Sequence, residues 1–425
     1  MKALTITTTF VAALAITSML AVPSVLAQEY DVRLVATLNP ASSGAIVELH
    51  VEQSSGSLKK LAFTAPTDLF SSFDTDSGKV TRSDGRVEWK IPSNGGSLTW
   101  HATLNVPKGD AYDARITEQW ALLRFEDLFP PVRSTARKGS TSNFVVELRG
   151  PKTWSFETRY GRVNKTPLRI ESLRYNFDRP TGWLIAGNLG VRREQIAGRS
   201  VTVAAPEGTH FPRVPTLAFL RWTLPDLVKV FPNMSERLLV VSGNDEMWRG
   251  ALSGPSSLFL HGDRPLISEN GTSTLLHELV HVATRITAAP GDDWVVEGLA
   301  EYYSLEILRR SDGISQQRFS KAMMTLQEWA SRTKASLSDP SKGSDTAAAA
   351  LLFKEIATEL RDRPDNTLPY PLDCAIQALL SDALGNTVVS AEDLQNSISE
   401  VTGHSSEVLA HALRQQKKIQ ESGAK

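Results

Sequence analysis

The periodicity of the chain changes near residue 200, and that change limits the fold more than any other feature. From residue 30 to about 188, apolar and polar residues alternate in short runs at 32–38, 45–51, 86–91, 98–106 and 144–148. Clusters of Gly, Ser, Asp and Pro separate the runs, so each reads as a half-buried strand ending in a turn. Side chains alternate across a strand, so such runs bury one face only and need a second sheet to cover it. The expected unit is an antiparallel β-sandwich. Its ionisable residues are scattered and form no constellation that carries chemistry.

Past residue 200 the pattern is mixed at first and then helical. Strand candidates lie at 200–205 and 238–242, flanking a helical spacing at 215–231 that includes Pro225, and a loop rich in Gly, Ser and Pro follows. Helical spacing then dominates at 272–286, 293–310, 316–332, 345–361, 391–401 and 406–420. The expected fold class is α+β and multidomain: a signal peptide over 1–27, a β-rich accessory domain over 28–199, and a mostly helical catalytic domain over 200–425.

The 425 residues are 41% hydrophobic and 22% charged, ordinary for soluble folded protein and ample for two cores. A formal net charge of −1 gives no chain-wide field toward nucleic acid or a membrane surface. No nucleic-acid partner is expected. Lys2, an apolar stretch from Phe10 to about Val22, and the small-residue end at Ala27 read as a secretory signal cleaved after Ala27. No other stretch approaches a membrane span. The mature chain is therefore expected to be periplasmic or secreted, without stable membrane insertion. Its single cysteine, Cys374, excludes an internal disulfide, so packing alone must hold the fold.

The chemistry is concentrated in TLLHELVH, residues 274–281. On a helix, His277 and His281 stand one turn apart on one face, where two imidazoles can bind one Zn²⁺. Glu278 sits just around the helix, placed to reach water beside the metal rather than the metal itself. With eight histidines in the chain, H-E-x-x-H is an infrequent coincidence. A catalytic zinc uses three protein ligands and leaves one position open. The third candidate is Glu297, in DWVVEGLAEYY at 293–303. The Pro290-Gly291-Asp292 turn, with Asp292 or Asp293 as a natural N-cap, returns a second helix toward the histidine face. Glu301, one turn beyond Glu297, is placed to accept a ring N–H from a ligating histidine. Trp294, Tyr302 and Tyr303 read as pocket lining or as helix-packing core. No nucleophile elbow and no phosphate-binding loop is present.

HELVH followed by WVVEGLAEYY resembles the gluzincin metallopeptidases, in particular the aminopeptidase N and glycyl aminopeptidase-like groups. The similarity extends in order over about residues 200–410, with SVTVAAPEG at 200–208 and SAEDLQNSISEVTGHS at 390–405 as its outer segments. It implies a thermolysin-like catalytic domain behind an N-terminal β domain, a single zinc ion, and a peptide or protein substrate. It also implies His277, His281 and Glu297 as metal ligands and Glu278 as the general base.

The departures from that family bear on the substrate. The fifteen residues between His281 and Glu297 are fewer than is usual there. GALSG at 250–254 stands where aminopeptidases place a glutamate that anchors the substrate amine, and the equivalent position holds Ser253, which cannot pair with an ammonium. The backbone there could still align an extended peptide as an edge strand. The tyrosine that serves the oxyanion in the family is matched by Thr346, and Tyr370 and His404 are weak substitutes. The reading is an exported zinc metallopeptidase. Its alternatives are an aminopeptidase with a non-standard amine anchor, a hydrolase of a non-protein amide, and a non-catalytic zinc-stabilised binding protein on the same fold.

Overall fold

A computed structural model describes residues 29–163, 167–170, 177, 179–244, 246–337, 340–382 and 388–423. The expected signal peptide and its cleavage point lie outside the described residues.

The first part of the chain is a β-sandwich. One sheet has six strands, in the order Leu168–Ile170, Thr141–Arg149, Glu29–Asn39, Gly44–Glu52, Gly95–Thr103 and Phe70–Thr75. The facing sheet has four, ordered Val132–Ala136, Leu58–Thr64, Arg86–Lys90 and Lys79–Ser83. Alternation drives the packing as the sequence implies: Tyr30, Val32, Leu34, Ala36 and Leu38 point inward from the first strand. Trp89 and Trp100 are fully buried between the sheets, and the Trp100 indole donates to the Leu128 carbonyl at 2.9 Å. The sandwich departs from purely antiparallel pairing at one place. Glu29–Asn39 and Thr141–Arg149 run parallel, which the local pattern of either strand cannot reveal.

A five-stranded sheet joins this sandwich to the rest of the molecule. Its strand Trp183–Gly187 is buried on both faces. Leu184 and Ala186 face the sandwich core, whereas Trp183 and Ile185 pack with Ala204, Leu239, Val241 and Phe259.

The second part opens on a mixed sheet ordered Leu189–Ile196, Arg199–Pro206, Arg237–Gly243, Ser257–His261 and Ala251–Gly254. This sheet begins before residue 200, because Leu189–Ile196 forms a hairpin with Arg199–Pro206. Its central strands are apolar at successive positions because both faces are covered. Leu238, Val240, Leu258 and Leu260 face the helices, and Leu239, Val241 and Phe259 face the joining sheet. The segment expected as a loop after residue 242 instead contains the hairpin of Ala251–Gly254 and Ser257–His261. The buried Leu258-Phe259-Leu260 run supplies its inner strand, leaving Ala251–Gly254 at the sheet edge.

Helices complete this part: Arg213–Val230, Thr274–Thr284, Asp293–Arg310, Gln316–Thr333, Ser344–Asp362, Pro371–Asp382, Ala391–Thr402 and Glu407–Gly423. Pro371–Asp382 has no counterpart in the sequence reading. Its buried Leu372, Ala375, Ile376 and Leu379 have helical spacing, and Pro371 occupies the start of the helix, where its missing N–H costs nothing. Asp293–Arg310 is the central element, buried along most of its length. Ser344–Asp362 packs closely against it at Gly298, where an added Cβ would lie 2.6 Å from the Ala349 Cβ and 2.9 Å from its backbone carbon. Any side chain at 298 would force the two helices apart. The architecture is thus α+β, with a β-rich N-terminal part and a helical C-terminal part.

Candidate metal centre

Local sequence explains why the histidines face one way. In Thr274–Thr284, Leu275, Leu276, Leu279, Val280, Val282 and Ala283 are buried in the helical core. The remaining stripe carries His277, Glu278 and His281. Ser273 caps this helix by accepting from the Leu276 N–H at 3.3 Å, and Arg285 ends it in the left-handed region at φ 53°.

The second helix starts where the Pro290-Gly291-Asp292 turn places it, but its expected cap behaves differently. Asp292 occupies the N-cap position, where its backbone carbonyl accepts the Val295 N–H at 2.8 Å but its side chain makes no bond to its own helix. Its carboxylate accepts the Ala391 N–H at 3.0 Å, and Asp293 accepts the Ser341 N–H at 2.8 Å. Both carboxylates therefore bind neighbouring segments to the start of the helix that carries Glu297.

Three ligand-type side chains converge between the helices. His277 Nε2 lies 3.1 Å from His281 Nε2 and 3.4 Å from Glu297 Oε2, and His281 Nε2 lies 3.5 Å from Glu297 Oε1. Four-coordinate zinc with bonds of about 2.0–2.1 Å needs ligand atoms about 3.3 Å apart, and these separations bracket that value. No other group of three His, Cys, Asp or Glu side chains among the described residues meets the same condition. Glu301 Oε2 lies 3.0 Å from His277 Nδ1, so a proton on Nδ1 leaves the Nε2 lone pair facing the shared point.

The electrostatics describe a pocket built around a positive charge. Burial opposes charge on His277, yet its contacts with Glu297 and Glu301 outweigh that and push its pKa up to about 10. Burial and the neighbouring His277 hold His281 down at about 4. Burial opposes ionisation of Glu297 too, but the two histidines keep its pKa below the ordinary carboxylate range. A cation at the shared point serves all three groups at once.

Glu278 is not one of the converging ligands, and its carboxylate lies beside Ser253. Burial raises its pKa, while His277 and hydrogen bonds from both the hydroxyl and the backbone N–H of Ser253 act in the opposite direction. Ser253 lies on the sheet edge Ala251–Gly254, so the position that departs from the aminopeptidase pattern sits against the candidate base. Nothing local in the sequence signals this contact, which spans two elements. The Leu252 carbonyl accepts from the Trp183 indole at 2.9 Å.

A cavity of about 360 Å³ opens beside His277, Glu297 and Glu301. Its lining also includes Trp329, Lys342, Gly343 and Thr346, and of these the sequence pattern points only to Thr346. Thr346 is buried, with its hydroxyl 3.3 Å from that of Ser341. Tyr370 and His404 do not line this cavity. Tyr370 lies under the Arg310 guanidinium at 4.1 Å, and His404 pairs with Asp365 at 2.7 Å. Trp294, Tyr302 and Tyr303 are buried core residues.

No family model matches the sequence, and no curated protein matches it. Solved structures do. The chain is similar to an aminopeptidase N family protein from Idiomarina loihiensis, with a TM-score of 0.64 over 85% of this chain and 71% of that one. Identity is 14%, so the likeness establishes a shared fold.

Proposed function

We propose that the chain is an exported zinc-dependent metallopeptidase in which His277, His281 and Glu297 hold the metal and Glu278 is the general base. The observation that carries this reading is the convergence of His277 Nε2, His281 Nε2 and Glu297 within 3.5 Å, with Glu278 on the adjacent helix position. The shared fold with an aminopeptidase N family protein supports peptide substrates.

When bound, zinc supplies Lewis-acid polarisation of a carbonyl and makes water a nucleophile near neutral pH. The protein's part is positioning and proton transfer. Glu301 fixes the His277 ring through Nδ1. Glu278 accepts the water proton on a carboxylate oxygen and delivers it to the departing amide nitrogen. A raised pKa suits that double role, because the group must take up a proton and release it in one cycle. Ser253 keeps the base in place and offers no negative charge to a substrate ammonium. The favoured mode is therefore cleavage that does not require a free amine.

No helix among the described residues is long and apolar enough to cross a membrane. Peptide libraries with free and with blocked amino termini test the substrate mode, using Glu278→Gln as the inactive reference. Cleavage of both libraries supports the reading. Release of single residues from free-amine peptides alone would replace it with an aminopeptidase that anchors the amine by another route.

A further inference from the structure

The outward face of the four-stranded sheet in the sandwich carries a charge imbalance that the whole chain conceals. The sequence balances 46 Lys and Arg against 47 Asp and Glu. On this face, Lys60 lies opposite Lys90, and Lys90 lies opposite Lys79. The next outward row aligns Arg133, Ala62 and Glu88, and the row after it aligns Thr64 and Arg86. These side chains share one side because Leu61, Phe63, Val87 and Trp89 from the same strands fill the sandwich core. Five cations thus accompany Glu88, and Lys60 already takes that acid at 3.0 Å. Among the described residues, none pairs with Lys79, Lys90, Arg86 or Arg133.

Two ordinary explanations fall short. Lysines protect edge strands from pairing with other chains, but Lys60 and Lys90 lie on the two central strands of this sheet. Solubility calls for charge, not for one sign, and like charges directly opposite on neighbouring strands oppose folding. The cationic array is also two-dimensional. With strands about 4.8 Å apart and outward residues about 6.8 Å apart along each strand, it extends roughly 14 Å in both directions. A plane of negative charge matches that shape better than one extended polyanionic strand does. A cavity of about 720 Å³ is sunk into the face, lined by Arg82, Arg86 and Arg133, by the hydroxyl-bearing Thr64, Thr81 and Ser83, and by Glu88, whose charge Lys60 offsets. Guanidinium and hydroxyl donors together suit a phosphate oxygen.

We propose that this face docks the protein peripherally on an anionic phospholipid surface, with a headgroup phosphate seated in the Arg86–Arg133 cavity. The zinc reading is independent of it.

The test is co-sedimentation of the full chain with phosphatidylglycerol–phosphatidylcholine vesicles and with phosphatidylcholine vesicles, from about 0.01 M to about 1 M ionic strength, over which the screening length falls from about 30 to about 3 Å. Binding to the anionic vesicles at low salt, lost at high salt, is expected. Arg86→Glu/Arg133→Glu should weaken it at least tenfold, as should Lys79→Glu/Lys90→Glu. Lys417→Glu, an exposed change in the last helix, should leave it unaltered. Thermal melts establish that each variant is folded, and the second double variant serves if the first is not. Equal binding to neutral vesicles, equal loss in the Lys417→Glu control, or binding of inorganic phosphate or an acidic peptide without vesicle binding would overturn the proposal.

Discussion

Ser253, on the edge strand of the second sheet, sits against the Glu278 carboxylate, and its hydroxyl and backbone N–H both favour the ionised form. A residue that departs from the aminopeptidase pattern thereby becomes a positioning residue for the candidate base. Ser253→Ala should remove the side-chain bond and retain the backbone one. Because that bond favours the ionised carboxylate, its loss should raise the Glu278 pKa and move the acid limb of kcat/KM to higher pH. A charge-assisted hydrogen bond is worth about 1.5–3 kcal/mol, so kcat should fall by about tenfold or more while zinc content is unchanged. A purely structural serine would lower activity without moving the pH profile.

The wild-type pH profile has a defined sign. Glu278 must be ionised to act as base, and burial holds its pKa above the usual carboxylate range. Activity should therefore be lost on acidification at a pH above about 4.3, the value of an unperturbed glutamate. An acid limb at or below that pH in kcat/KM would remove Glu278 from the role.

Glu301 tests the support of the metal ligand. Glu301→Ala removes the acceptor 3.0 Å from His277 Nδ1. Loss of such a partner typically costs about 10–100-fold in metal affinity. Competition with a zinc chelator reads this directly, and Glu301→Gln should recover part of the loss because its amide oxygen still accepts.

Gly298 couples helix packing to the same site. Gly298→Ala places a methyl group against the backbone and Cβ of Ala349, on the helix that also carries Thr346 at the cavity wall. Overpacking of this kind costs about 1–3 kcal/mol. A lower melting temperature together with weaker zinc retention is expected. A variant with unaltered stability would mean that the two helices can separate freely.

The positions of His277, His281, Glu297 and Glu301 were legible because their signals are local. H-E-x-x-H and E-x-x-x-E each lie within a helix, where spacing fixes the face, and the Pro290-Gly291-Asp292 turn fixes how the second helix follows the first. Most helices and the main strands were legible for the same reason. What escaped depends on distant partners. The parallel pairing of Glu29–Asn39 with Thr141–Arg149, the contact of Ser253 with Glu278, and the approach of Ala349 to Gly298 join segments far apart in sequence. Pro371–Asp382 escaped because it is short and its buried Leu372, Ala375, Ile376 and Leu379 follow closely on Pro364, Pro369 and Pro371. The cationic sheet face escaped because net charge averages over the chain, whereas register decides which charges share a side.

The central claim is most directly tested by zinc stoichiometry of the reconstituted protein, measured by elemental analysis with peptide hydrolysis assayed on the same samples. The wild type should bind one zinc per chain and hydrolyse peptides. Glu278→Gln should retain the zinc and lose nearly all turnover, and His281→Ala should lose both. A wild type that binds no zinc, or a His281→Ala variant that retains it fully, would contradict the assignment of His277, His281 and Glu297 as the metal centre.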